Sequence, residues 1–256
     1  MSNQGSTAGP PPSEATRLRS ARWALRDLGR RDGVPVILLH GLGMTADSCW
    51  SPTYGQLSQT HRVISFDLRG HGEGGDVSGK FSLEECADDA AQLAHELGLG
   101  RCVVIGYSLG GLVAQMMWKR SPSAVGGLVL CATAHYPLSP FEWGLRITPT
   151  IGEQWRRGMS AKVVRNAELW VLASAMQAAA RFDSRRWIGA VDAPTAIIVT
   201  TRDAIILPWR QRHLAQAIGA ESVHNLRSGH LAPLRHPQRF ADAIAAACAA
   251  VAAVPR

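Results

Sequence analysis

The chain has 256 residues, 46% hydrophobic and 18% charged, enough material for one large core and the composition of an ordinary globular protein. No apolar run approaches the ~18–20 residues of a membrane span, so an integral membrane segment is not expected. The net charge of +7 is carried almost wholly by arginine, with Arg17, Arg19, Arg22, Arg26, Arg30 and Arg31 near the start. No aromatic interleaving or binding motif accompanies them, so they read as a solvated basic face and nucleic acid is not an expected partner.

Residues 1–19 are rich in Pro, Gly and Ser/Thr, and Met1 to Thr16 lacks the apolar stretch of a signal peptide. They read as a disordered tail, and the expected setting is cytoplasmic. Trp23 to Leu28 reads as an edge strand. Val34 to Leu39 is a nearly continuous apolar run ending in His40-Gly41-Leu42-Gly43, which suits a strand buried on both faces of a parallel sheet. A helix is expected around Trp50 to Leu57, and a strand over Arg62 to Asp67 that enters the glycine-punctuated loop Asp67 to Gly72.

Ser82 to Leu97 is the clearest helix. Ser82 and Glu85 have the spacing of a capping box. Leu83, Cys86, Ala87, Ala90, Leu93, Ala94 and Leu97 make one apolar stripe, and Gly98 stops the helix. Val103 to Ile105 is a strand, Leu109 to Arg120 a helix, and Val125 to Cys131 a strand. This alternation means an α/β fold with a largely parallel sheet.

The rhythm breaks over 135–190, which holds Trp143, Trp155, Trp170 and Trp187 and is too long for an ordinary crossover. It reads as a helical cap inserted in a core made of 20–134 and 191–256. Alternation resumes with a strand at Thr195 to Thr200, a helix at Trp209 to Ile218, a short strand at Ser222 to Leu226 and a closing helix from Pro237 to Val254. The cysteines (Cys49, Cys86, Cys102, Cys131, Cys248) are scattered without a C-x-x-C pair, which fits packing rather than disulfides or zinc.

Between the strand ending near Ile105 and the helix at Leu109 lies Gly106-x-Ser108-x-Gly110, the pattern of a nucleophile elbow. Such a turn exposes the serine hydroxyl above the strand end and crowds the positions two before and two after, where only glycine fits. A serine nucleophile needs a base, and the base needs a carboxylate to hold its tautomer. In a parallel sheet such groups gather where strands end. Asp203 follows the run Thr195 to Thr201, and His230 lies in the loop after the last short strand. His40 also ends a strand, but lies upstream and suits a structural hydrogen bond. The oxyanion donors are expected to be the N–H groups of Leu109, at a helix N-terminus, and of Leu42, in the loop that Gly41 and Gly43 allow to turn.

Together His40-Gly41-Leu42-Gly43, Asp67-x-x-Gly70-His71-Gly72, Gly106-Tyr107-Ser108-Leu109-Gly110-Gly111, Asp203 and Gly229-His230 resemble the α/β-hydrolase superfamily, in particular its small cap-bearing esterase, lactonase and C–C hydrolase branches, over residues 20 to 254. The resemblance implies an eight-stranded, mostly parallel sheet, with the nucleophile after strand five, the cap after strand six, the acid after strand seven and the histidine after strand eight. Three positions depart from the family's habit: Gly74 stands where Ser is frequent, Arg235 where an acid is frequent, and the proline after the acid comes one residue late at Pro208. Ser108 argues against the related dehalogenases and epoxide hydrolases, which attack with Asp, and against the dienelactone type, which uses Cys.

The expected activity is therefore hydrolysis of carboxylic esters or thioesters of small to medium apolar substrates through an acyl-enzyme, with no metal and no organic cofactor. Lactone or C–C bond hydrolysis and perhydrolysis would use the same triad. A ligand-binding receptor or scaffold on a hydrolase fold is the alternative from another class.

Overall fold

The computed structural model describes residues 25–136 and 167–252. Seven strands form one sheet: β1 (Leu25–Gly29), β2 (Val34–Leu39), β3 (His61–Phe66), β4 (Cys102–Tyr107), β5 (Val125–Cys131), β6 (Thr195–Thr200) and β7 (Ser222–Leu226), in the order β1-β3-β2-β4-β5-β6-β7. β1 pairs antiparallel with β3 and every other pair is parallel. The eight-stranded count is corrected to seven among the described residues. A single edge strand precedes β2 there, so nucleophile, acid and histidine follow β4, β6 and β7, each one strand earlier than expected.

Among the described residues the α-helices are α1 (Ala46–Leu57), α2 (Leu83–Glu96), α3 (Leu109–Arg120), α4 (Leu169–Arg181), α5 (Pro208–Ile218), the single turn α6 (Ala232–Arg235) and α7 (Pro237–Ala252). None is long and apolar enough to cross a membrane. The sheet divides the core in two. Ile37, Val104, Leu128, Leu130, Ile197 and Val199 face α2, α3 and α5, while Val36, Val103, Ile105, Val129 and Ile198 face α1 and α7. This is the period of a strand buried on both sides, which is why these runs read as continuously apolar. On β5, Gly127 lets α7 lie close, since a Cβ there would stand 2.2 Å from Val251 Cγ1.

Local chemistry moves one boundary and changes one cap. α1 begins at Ala46 rather than near Trp50 because Thr45 caps it: Ser48 N–H donates to Thr45 Oγ1 at 3.1 Å and Thr45 N–H to Ser48 Oγ at 2.8 Å. At α2 the expected box is half made. Ser82 Oγ accepts from Glu85 N–H at 3.2 Å, but the Glu85 carboxylate pairs with Arg69, which also holds Asp89.

Of the arginines near the start, those within the described residues are all paired, Arg26 with Asp47, Arg30 with Asp32 and Arg31 with Asp27. All five cysteines are buried. α4 falls inside the expected cap, whose residues 137–166, with Trp143 and Trp155, lie outside the described residues, as does the tail 1–19. Val171, Ala175 and Ala179 bury the inner face of α4 in the same cluster as α2. Trp187 stacks on Trp118, with ring centroids 6.2 Å apart. At a rise of 1.5 Å per residue, Trp118 lies about 14 Å along α3 from its N-terminus, so Trp187 packs the core and is remote from Ser108. Trp170 is half exposed.

Candidate active site

The chain runs from β2 outward to β3, then crosses to β4 and proceeds the other way to β7. The β2/β4 boundary is thus a topological switch point, where the connections leave in opposite directions and open a crevice at the strands' carboxyl ends. The loop after β2 carries Leu42 and the turn after β4 carries Ser108.

Ser108 has φ 53° and ψ −113°, a left-handed backbone that costs a non-glycine residue about 1–3 kcal/mol. The surroundings enforce it. Ser108 N–H donates to Cys131 O at 2.9 Å, tying the turn to the end of β5. A Cβ on Gly106 would stand 2.3 Å from Gly110 O, and one on Gly110 would stand 2.0 Å from Leu39 O. Gly111 is also needed, because its Cβ would meet Thr133 Cγ2 at 2.5 Å. The glycines let α3 start hard against the ends of β2 and β4.

Ser108 Oγ lies 2.8 Å from His230 Nε2, and His230 Nδ1 lies 2.8 Å from Asp203 Oδ2. The Asp203 side chain is wholly buried and that of His230 is 12% exposed. Asp203 Oδ1 accepts from the N–H groups of Ile205 and Ile206, both at 2.9 Å, so the loop that follows β6 wraps around the carboxylate it presents. The structure therefore brings Ser108, His230 and Asp203 into one hydrogen-bonded row, with the imidazole between hydroxyl and carboxylate.

Leu109 opens α3, where the first N–H groups have no partner within the helix. Among the described residues neither its N–H nor that of Leu42 makes a hydrogen bond. Gly43, at φ +69°, turns the loop after Leu42, and Gly41 packs on the Tyr107 ring, which a Cβ would meet at 3.0 Å.

Tyr107 has a role that the sequence reading missed, having treated it as the variable position of the motif. Its hydroxyl donates to the backbone carbonyl of His230, 123 residues away, while its buried ring packs edge-on to Phe240. The available signal was the polar group at the end of an otherwise apolar strand.

Other polar side chains are engaged elsewhere. Asp67 accepts from the N–H groups of Ala46 (2.6 Å) and Glu73 (2.9 Å) and shapes the glycine-rich loop. Within that loop Gly74 is required, since a Cβ would stand 2.3 Å from Leu68 O, which explains the departure from Ser. Asp192 accepts from Trp118 Nε1, and His224 bonds Ser222 within β7. Arg235 is exposed at the end of α6, and Pro208 opens α5. No group of three or more His, Cys, Asp or Glu side chains among the described residues is placed to hold a metal.

His40 is fully buried beneath the site. Leu68 N–H donates to its Nε2 at 2.9 Å, and its Nδ1 lies 2.9 Å from Gly41 O, so the neutral Nδ1–H tautomer satisfies both partners. Burial, and then the neighbouring His71, push its pKa down to about 3, and burial with His213 and Arg185 nearby brings His135 to about 4. Both groups bind protons more weakly in the folded chain than in the unfolded one, whose histidines titrate near pH ~6.5. Stability is therefore full above about 6.5 and declines as the pH falls toward the folded values, by about 1.4 kcal/mol per pH unit for His40 alone. Urea unfolding is expected to show a midpoint clearly lower at pH 5 than at pH 7; equal midpoints would contradict these burials.

The sequence matches the model of the alpha/beta hydrolase family over residues 36–243. It is 31% identical over 170 residues to the pimeloyl-(acyl-carrier protein) methyl ester esterase of Sodalis glossinidius, covering 66% of this chain and 62% of that one. Across the first curated relatives the match spans between 40% and 62% of their length. Among solved structures it resembles a thermophilic esterase from Thermogutta terrifontis at a TM-score of 0.73, with 30% identity covering 87% of this chain and 91% of the other. It also resembles the enol-lactonase from Burkholderia xenovorans LB400 at a TM-score of 0.74, with 25% identity covering 87% and 94%.

Proposed function

The chain belongs to the alpha/beta hydrolase family, and on that premise we propose that it is a serine hydrolase of carboxylic esters or thioesters, acting in the cytoplasm on small to medium apolar substrates. The observation that carries this reading is the row Ser108 Oγ, His230 Nε2, His230 Nδ1, Asp203 Oδ2, with 2.8 Å at each contact.

Ser108 Oγ attacks the substrate carbonyl carbon while His230 Nε2 takes its proton. Asp203, held by the Ile205 and Ile206 N–H groups, keeps Nδ1–H pointed at the carboxylate and stabilises the imidazolium. The oxyanion is received by Leu109 N–H and Leu42 N–H, each donor lowering the barrier by ~3–4 kcal/mol. Collapse expels the alcohol or thiol with the proton from Nε2. Water, deprotonated by the same nitrogen, then attacks the acyl-enzyme, and Ser108 leaves with the proton restored.

Residues 135–190, which follow β5 and precede β6 in the sequence, select the substrate in this reading. The esterase and enol-lactonase among its structural relatives support ester-like carbonyl chemistry and keep lactones in view.

The test is labelling with a fluorophosphonate, followed by assay of nitrophenyl esters of increasing acyl length beside a lactone panel. A covalent adduct on Ser108 and faster turnover of esters are expected. Absence of an adduct rejects the serine hydrolase reading, and a much larger kcat/KM for lactones moves the activity to lactone hydrolysis.

A further inference from the structure

Resting on that triad reading, we propose that Thr200 and Gln211 are positioning residues for Asp203, a buried pair that aims the carboxylate at His230. Thr200 is the last residue of β6 and Gln211 lies in the first turn of α5, and neither is exposed. The same Asp203 Oδ2 that meets His230 Nδ1 at 2.8 Å lies 2.7 Å from Thr200 Oγ1.

The neighbours dictate the direction of each proton. Gln211 Nε2 stands 2.6 Å from Ile206 O, 2.9 Å from Thr200 Oγ1 and 3.4 Å from Asp203 Oδ2, while Gln211 Oε1 receives Thr200 N–H at 2.9 Å. A flipped amide would turn its oxygen toward the Ile206 and Asp203 oxygens and its NH2 toward an N–H, so one orientation satisfies the site. One amide proton goes to Ile206 O and the other to Thr200 Oγ1. The threonine's own proton then has two acceptors in reach. Gln211 Oε1 is the farther, at 3.2 Å, and already takes the Thr200 N–H, so the proton goes to Asp203.

With Oδ1 held by Ile205 and Ile206 N–H and one lone pair of Oδ2 held by the Thr200 hydroxyl, the carboxylate cannot rotate about its own axis. The remaining lone pair of Oδ2 faces His230. A wholly buried carboxylate is left unsatisfied without such donors, and the hydroxyl supplies one without adding a charge. A valine at 200 would fill the same volume and suit a buried strand equally well. The hydroxyl is thus explained by its bonds rather than by packing.

Thr200→Val removes the hydroxyl at nearly constant shape. On a nitrophenyl ester, kcat is expected to fall about 10-fold or more with KM within about twofold, the scale of one hydrogen bond to a charged group. Thr200→Ser, which restores the donor, should recover most of the loss, and Gln211→Met should lower kcat in the same way. Thermal melting reports whether each variant is folded; if Thr200→Val is not, the comparison of Thr200→Ala with Thr200→Ser carries the test. A folded Thr200→Val or Thr200→Ala with wild-type kcat overturns the positioning role, as does failure of serine to rescue. The two failures are separable: a Ser108→Ala variant as active as wild type rejects the triad itself, whereas an inactive Ser108→Ala beside a fully active Thr200→Val rejects only this pair.

Discussion

Ser108→Ala is expected to lower kcat/KM for an activated ester by about 10⁴–10⁶-fold while leaving the fold intact, the range seen when the nucleophile of a serine triad is removed. The stability half of this result comes from the backbone. Ser108 makes no side-chain cap at the start of α3, and its N–H bond to Cys131 O survives truncation. Alanine keeps the positive φ at similar cost, so the melting temperature should move by only a few degrees. The activity half comes from the lost Oγ, the one side-chain atom 2.8 Å from His230 Nε2. A residual rate from the oxyanion donors and substrate binding alone should remain, because those groups are untouched. Wild-type rates in the alanine variant would mean that the hydrolysis, if present, uses another nucleophile.

Gly110→Ala should be the most damaging of the conservative substitutions, costing about 3 kcal/mol or more of stability together with most of the activity. Its Cβ would stand 2.0 Å from Leu39 O, 2.5 Å from Leu39 C and 2.7 Å from His40 O. These are backbone atoms at the end of β2, held by the parallel ladders to β3 and β4, so neither side can yield cheaply. The movement that relieves the clash separates the Leu42 loop from Leu109, which parts the proposed oxyanion donors. Gly55→Ala is the control. That exposed glycine lies inside α1 with no atom within 4 Å of an added Cβ, and alanine there should stabilise the helix by about 1 kcal/mol. Denaturant titrations of the two variants decide the matter, and a Gly110→Ala protein as stable as the wild type would show that the elbow is looser than its geometry.

Much of this was legible in the residues because the signals were local. The strand at Thr195–Thr200 and the α2 stripe follow from periodicity, and their edges from glycine and serine. The elbow is a steric requirement written into five positions. The start of α1 was less legible. Its cap is Thr45 with Ser48, and Pro52 and Gly55 obscure the helical pattern that follows. The strand count went astray for a different reason: the resemblance carried over a number that no pattern in these residues supported. The tryptophans between β5 and β6 carried no positional information, and Trp187 proved to pack on Trp118.

The sequence by itself determined the chemistry on offer. It placed a serine on a turn that only glycines permit, and an acid and a histidine after strands, in an order that a parallel sheet gathers at one edge. Tertiary structure alone decided how those groups are held. The Tyr107 hydroxyl on the His230 carbonyl joins elements far apart along the chain, and the Thr200–Gln211 pair on Asp203 joins the end of β6 to the helix that follows it. Periodicity and spacing describe which face a residue occupies, within a few residues of its neighbours. Which partner waits on that face depends on strand order, and strand order is set by the whole core.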